Sequence, residues 1–246
     1  MGRVRPIQTV TLSLFRFPGA AGAAWAFGQM GRARLDFLCG TDATFWKLCG
    51  SGAGGGFTGI DPAAWAILAA WPDAATARTA LADAEPYRRW RARAAEAADI
   101  LLAPLSSRGA WSGRTPFRPS GEGRDGAETT GPLAVLTRAT IRTRLVRRFW
   151  SRAPGVQAAI AADPNVLFRV GIGEMPVLHQ VTFSIWPDAR SMTAFAHAPG
   201  PHAEAARAVR RGGWFREELY ARFAVIDATG LWRGAPPLSD RQEIAA

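Results

Sequence analysis

Histidine, cysteine and lysine are scarce in this chain, and each scarcity closes off some chemistry. Three histidines in 246 residues are too few for most multi-histidine metal centres, and no Glu-x-x-His pair marks a di-iron site. The two cysteines, Cys39 and Cys49, have neither CxxC nor zinc-knuckle spacing. The ordinary role for such a cysteine is a small buried hydrophobe in a reducing compartment, with a haem thiolate as the less common one. No Gly-x-Ser-x-Gly elbow supports a hydrolase triad. The longest clean apolar run, Ala63 to Trp71, is far short of the roughly 20 residues that span a bilayer. Met1-Gly2-Arg3-Val4-Arg5-Pro6 leads straight into a strand-like segment without the apolar core of a secretory signal, which predicts a cytoplasmic protein.

Arginine, by contrast, is abundant. Of the 30 basic residues only Lys47 is a lysine, and the formal net charge is +10. Such a charge suits nucleic acid or an anionic membrane surface. The arginines are spread over predicted helices and strands with no single aromatic-laced patch, which argues against nucleic acid and leaves weak attraction to anionic lipid. A hydrophobic share of 48% and a charged share of 20% are those of a soluble globular chain with one large domain or two small ones.

The chain also says the same thing twice. Ala64 to Asp73 (AWAILAAWPD) recurs as His179 to Asp188 (HQVTFSIWPD). The register continues, because Pro86-Tyr87 lies as far beyond the first Trp-Pro-Asp as Pro201-His202 lies beyond the second. An internal repeat constrains the fold before any function is argued. Where one copy has a tyrosine, the other has a histidine.

Periodicity gives both halves the same order. Gln8 to Phe15 alternates as a half-buried strand; residues 20 to 33 read as a buried helix; Phe45 to Cys49 and Ala63 to Trp71 read as strands. Asp73 can cap the next helix, a further helix covers Tyr87 to Ala97, and Ile100 to Leu105 closes the half as a strand. In the second half Leu136 to Ile141, Val166 to Val170, Gln180 to Trp186 and Tyr220 to Ile226 read as strands. Leu145, Val146, Phe149 and Trp150 form a helical face, and helices start at Ala189 and Pro201. Each half is therefore β-α-β-β-α-β, the ferredoxin-like order. The expected architecture is α+β: halves 6–117 and 132–235 packed as an α+β barrel, joined by a linker at 118–131 and followed by a loose tail at 236–246. Trp71 and Trp186 should be equivalent, and a cavity between sheet and helices would suit a large flat cofactor.

Gly50 to Gly55 satisfies G-x-G-x-x-G, but Thr58-Gly59-Ile60-Asp61-Pro62 cannot open the helix that a pyrophosphate needs. The segment from Gly50 to Gly56 is expected to be a loop. One histidine suffices for axial ligation of haem iron. His202 is the best placed, since Pro201 suits the first helical position and His202, Ala206 and Val209 share one apolar face. From spacing alone, a core histidine bonded to a carbonyl is the commoner role for such a placement. His179 begins a strand and His197 ends a helix, which suits structural or surface roles.

The strings Phe45 to Gly52 (FWKLCGSG), Leu136 to Arg142 (LTRATIR), His179 to Asp188 and Gly213 to Phe223 (GWFREELYARF) resemble the spheroidene monooxygenase family, the acyclic carotenoid 2-ketolases of purple photosynthetic bacteria. The resemblance runs from about Thr9 to Trp232. It implies a haem enzyme using dioxygen and electrons from reduced ferredoxin, which hydroxylates C-2 of spheroidene or hydroxyspheroidene twice, the gem-diol losing water to give the 2-keto product. It favours His202 as the haem ligand, an assignment inferred from the helix face and the broken repeat, with His179, His197 and Cys49 as the remaining candidates. A membrane-dissolved substrate implies peripheral membrane contact. The other class left open is a haem- or small-ligand-binding α+β barrel without monooxygenase activity.

Overall fold

In the computed structural model, residues 7–56, 58–119, 131–175 and 177–238 are described. Most of the 118–131 and 236–246 segments therefore lies outside the described residues. The element order is β1 (Thr9–Arg16), α1 (Gly19–Gly40), β2 (Phe45–Ser51), β3 (Asp61–Trp71), α2 (Ala74–Asp83), α3 (Tyr87–Arg91) and β4 (Glu96–Gly109). It continues with β5 (Leu133–Ile141), α4 (Val146–Trp150), α5 (Ala153–Ala162), β6 (Phe168–Gly173), β7 (His179–Trp186), α6 (Ala189–His197), α7 (Pro201–Gly212) and β8 (Phe215–Gly230). The eight strands close into one antiparallel barrel in the order β1-β3-β2-β6-β7-β5-β8-β4.

Alternation decides which side chains fill the barrel. Val10, Leu12 and Leu14 of β1 meet Leu136, Val181, Phe183, Ile185 and Phe223 from the other half in one apolar interior. The opposite faces carry the helices, so the strands are covered twice. That corrects the half-buried reading of β1: Thr9, Thr11 and Ser13 are buried as well. Thr11 accepts the indole N–H of Trp71 at 2.9 Å, and Ser13 donates to Asp99 at 2.5 Å. Both outward hydroxyls are satisfied without water.

Trp71 and Trp186 each end the third strand of their half and pair with the first residue of its first strand, Thr9 and Leu133. Asp73 and Asp188 each cap the following helix, accepting the backbone N–H of Thr76 at 2.8 Å and of Ser191 at 2.7 Å. Several expected elements differ in extent. The 20–33 helix runs to Gly40 and is not buried, since Phe27, Leu35 and Leu38 point outward and only Ala26, Ala33 and Phe37 are buried. The helix expected to Ala97 ends at Arg91, and the following strand begins at Glu96. β4 and β8 are far longer than their apolar cores because they pair along one seam of the barrel, from Ala98↔Gly230 to Gly109↔Leu219. The opposite seam is short: β2 meets β6 only at Gly50↔Gly173 and Ser51↔Ile172.

Candidate active site

Glycines keep the short seam open. Ser51 donates its hydroxyl to the Gly171 carbonyl at 3.0 Å and Gly52 its N–H to the same oxygen at 2.9 Å. A side chain at Gly173 would meet the His179 carbonyl at 2.3 Å, so that position must stay bare. Beside this seam lies a cavity of about 500 Å³, walled by Gly50, Gly52, Gly171 and Gly173 and bordered by Ile60, Trp150, Val177 and His179. The glycine string read as a loop thus divides: Gly50 and Ser51 end β2, a short 3-10 turn covers Ala53–Gly55, and the next regular element is β3. No helix follows the glycines to receive a pyrophosphate.

A charge cluster built around the buried Arg138 sits at the same end of the barrel. The lone lysine, Lys47, meets Glu174 at 2.7 Å and donates to Ser112 at 2.7 Å. Glu174 also accepts the indole N–H of Trp111 at 2.6 Å. Arg138, almost fully buried, pairs with Glu217 and lies over the Trp111 ring at 5.7 Å. Glu217 accepts the N–H groups of Ser112 and Gly113 at 2.9 and 2.7 Å. Those amide bonds and Arg138 hold its carboxyl below the usual range, against an opposing push from burial. Two cations thus face two carboxylates in a partly dry setting, where losing one partner strands the other. Sequence reading missed this cluster, although a single lysine among so many arginines was a signal for it. A compact ammonium fits between a carboxylate, a hydroxyl and two rings where a planar guanidinium does not.

The four candidate ligands fall in different places. His179 starts β7, borders the cavity and has its Nδ1 3.8 Å from Glu174; burial lowers its pKa while Glu174 raises it. His197 ends α6. Cys49 is fully buried in the barrel interior, where burial and Glu174 push its thiol far up and keep it protonated. His202 stands in α7, half-buried, with Phe195 at 5.0 Å between ring centroids. It is not among the residues that border the cavity. Its Nδ1 is buried with no hydrogen-bond partner, and burial, assisted by Arg210, lowers its pKa, so the ring is neutral at neutral pH. The carbonyl bond of an ordinary core histidine is missing. On the same face Ala205, Ala206 and Val209 are half-buried, and no residue of α7 is fully buried. Among the described residues no cluster of three or more His, Cys, Asp or Glu side chains could hold a metal ion.

This architecture has counterparts among solved structures. An aldoxime dehydratase superposes with a TM-score of 0.61 at 13% identity, covering 92% of this chain and 84% of that one. An aldoxime dehydratase in complex with butyraldoxime gives 0.59 at 10% identity, over 92% and 82%. The class is thus a mixed α/β protein built on an eight-stranded antiparallel barrel, a fold it shares with these enzymes. No family model matches the chain. Spheroidene monooxygenase of Cereibacter sphaeroides is 46% identical over 95% of this chain and 72% of its own length. That of Rhodobacter capsulatus is 44% identical over 96% and 97%, and that of Rubrivivax gelatinosus 32% over 87% and 81%. The chain belongs to the spheroidene monooxygenase family.

Proposed function

We propose that this protein is a haem-dependent monooxygenase that hydroxylates C-2 of spheroidene or hydroxyspheroidene twice, the gem-diol then losing water to leave the 2-keto group. Each round consumes one dioxygen, two electrons from reduced ferredoxin and two protons, and releases one water. The observation that carries the reading is His202: a neutral, half-buried imidazole with an unpartnered inner nitrogen, on a helix face of small residues. These residues fit a haem. His202 would hold the iron, and Ala205, Ala206 and Val209 would leave room beside it. Bound haem would supply the dioxygen-activating chemistry that side chains lack.

The protein's own part is to bind and orient an apolar polyene and keep water away. Ile60, Trp150 and Val177 give the glycine-walled cavity an apolar border, and Thr58 beside it bonds Gln157 of α5, the helix that packs on the α7 of His202. A carbon numbered 2 lies at the end of an acyclic chain, so only that end has to enter while the remainder stays in lipid. Two tandem ferredoxin-like halves, 6–117 and 132–235, are the architecture we propose for the chain. Its support is the strand order β4-β1-β3-β2 in one half and β8-β5-β7-β6 in the other.

Replacing His202 by Ala should remove or strongly shift the Soret band and stop ketolase turnover, with the far-ultraviolet circular dichroism unchanged. Equivalent changes at His179 and His197 should leave the spectrum intact. A native spectrum in the His202→Ala protein would overturn the assignment. His179 is the specific second reading, because it borders the cavity and its buried Nδ1 makes no hydrogen bond. Its proximity to Glu174 resembles the carboxylate backing of many metal-bound histidines. Loss of the Soret band in His179→Ala alone would favour it. A protein that stays colourless after haem supplementation would favour a ligand-binding barrel without oxygenase activity.

A further inference from the structure

Two of the exposed large apolar side chains, Ile60 and Val177, border the cavity, and a third, Met175, lies two residues before Val177 in the chain. Val177 is held at φ +74°, a left-handed conformation that a β-branched residue rarely adopts. Trp150 joins this rim, donating its indole N–H to the Val177 carbonyl at 3.0 Å. It ends α4, a short helix that buries none of its residues. Arg142, Arg144, Arg147, Arg148 and Arg152 surround α4, all exposed. No Asp or Glu occurs anywhere from Gly131 to Ala162. These five arginines are a local concentration within the 142–152 segment, and the fold sets that segment beside the cavity through Trp150.

We propose that this surface docks on an anionic bilayer and sets the cavity mouth against the lipid, where an apolar polyene can enter without crossing water. The inference rests on the carotenoid reading for its purpose, although the docking itself requires neither haem nor turnover. Exposed apolar rims mark interaction sites, and a basic segment carrying half-buried aromatics lies naturally in a headgroup layer. The charge disfavours a two-fold contact with a second copy of this chain, which would bring two arginine-rich patches together. The other exposed apolar stripe, Phe27, Leu35 and Leu38 on α1, is not part of the border of this cavity.

The test is sedimentation of the full-length protein, with and without haem, with phosphatidylcholine vesicles that contain or lack phosphatidylglycerol. Binding should require phosphatidylglycerol and weaken as salt rises. Arg144→Glu with Arg147→Glu should lower partitioning at least about tenfold, and Arg144→Gln with Arg147→Gln by less. Ile60→Asp should also weaken it, while Phe27→Ser with Leu38→Ser binds like the parent. Absence of parent binding to anionic vesicles at low salt overturns the proposal. So does parent-like binding by the charge-reversed protein, or loss confined to the α1 variant. Turnover of detergent-solubilised carotenoid should be the same in the Arg144 and Arg147 variants as in the parent. A failed monooxygenase reading therefore shows up there and not in the vesicles.

Discussion

Tyr87 and His202 follow equivalent prolines, yet they meet opposite surroundings. Tyr87 is fully buried in a layer with Phe15, Phe17, Phe37, Trp71 and Trp90, its ring 6.0 Å from Phe37 and 6.3 Å from Trp71. The layer over the other half buries only Leu133, Val135, Trp186 and Met192. There α7 packs chiefly on α5 and α6, whereas α1 and α2 pack directly on strands. Both layers leave buried polar atoms without a hydrogen bond, the Tyr87 hydroxyl and Trp90 indole in one and His202 Nδ1 in the other, but aromatics fill the first and small residues line the second. Close packing is the rule for protein interiors, and the first layer meets it with large side chains where the second uses small ones.

This contrast is open to mutation. On the haem-free protein, Trp90→Ala removes a fully buried indole and should lower the unfolding free energy by about 3–5 kcal/mol. Phe195→Ala, in the half-buried part of the other layer, should lower it by only about 1 kcal/mol, since fewer contacts are lost. Urea unfolding measures both. Equal losses would break the comparison, because they would mean that the second layer is as well packed as the first.

Most of the first layer was legible in the sequence, and much of the second was not. Alternation in β1 and the Trp-Pro-Asp strings are local signals, and they gave the right strands and caps. The end of α3 at Arg91 was not legible, because Ala-rich sequence from Ala92 to Ala98 continues a helical pattern while barrel closure draws it into β4. Helix α5 was missed because Ala153 to Ala162 shows little amphipathic contrast and buries only Ala153. The cavity could not be seen, because its wall joins Gly50 to Gly173 across 123 positions of chain. Lys47, Glu174, Arg138 and Glu217 likewise meet only in three dimensions. His202 was singled out because the repeat breaks there, and the structure shows it half-buried with its Nδ1 making no hydrogen bond.

Haem loading should sharpen the comparison further. A group that binds only the folded state stabilises it by about 2.7 kcal/mol at a hundredfold excess over its Kd. Amide exchange in α6 and α7 should therefore slow on loading, whereas α2 and α3 should change little. Hydrogen-exchange mass spectrometry of both forms would read this directly. Uniform protection across both layers would place the haem elsewhere, and no change in α7 would detach His202 from it.

The smallest effect concerns the one device that both halves share. Asp73 and Asp188 each accept a backbone N–H of the helix they cap, and those bonds hold both carboxyls below the ordinary aspartate value of 3.8. A depressed folded-state pKa means that the unfolded chain takes up protons first. The capping contribution is thus fully present above 3.8 and is lost as pH falls through the lower, folded-state value. Asp73→Ala should lower the melting temperature modestly at neutral pH, because α2 buries Ala77 and Leu81 and is tied to the core. Asp188→Ala should lower it less, because α6 buries only Met192 and can fray locally. Thermal melts taken from neutral to acid pH should show each difference from the parent closing below 3.8. A gap that persists in acid would mean that the carboxylate charge is not its source. Equal melting shifts at neutral pH would mean that the two helical layers are coupled to the barrel alike, contrary to the contrast between Tyr87 and His202.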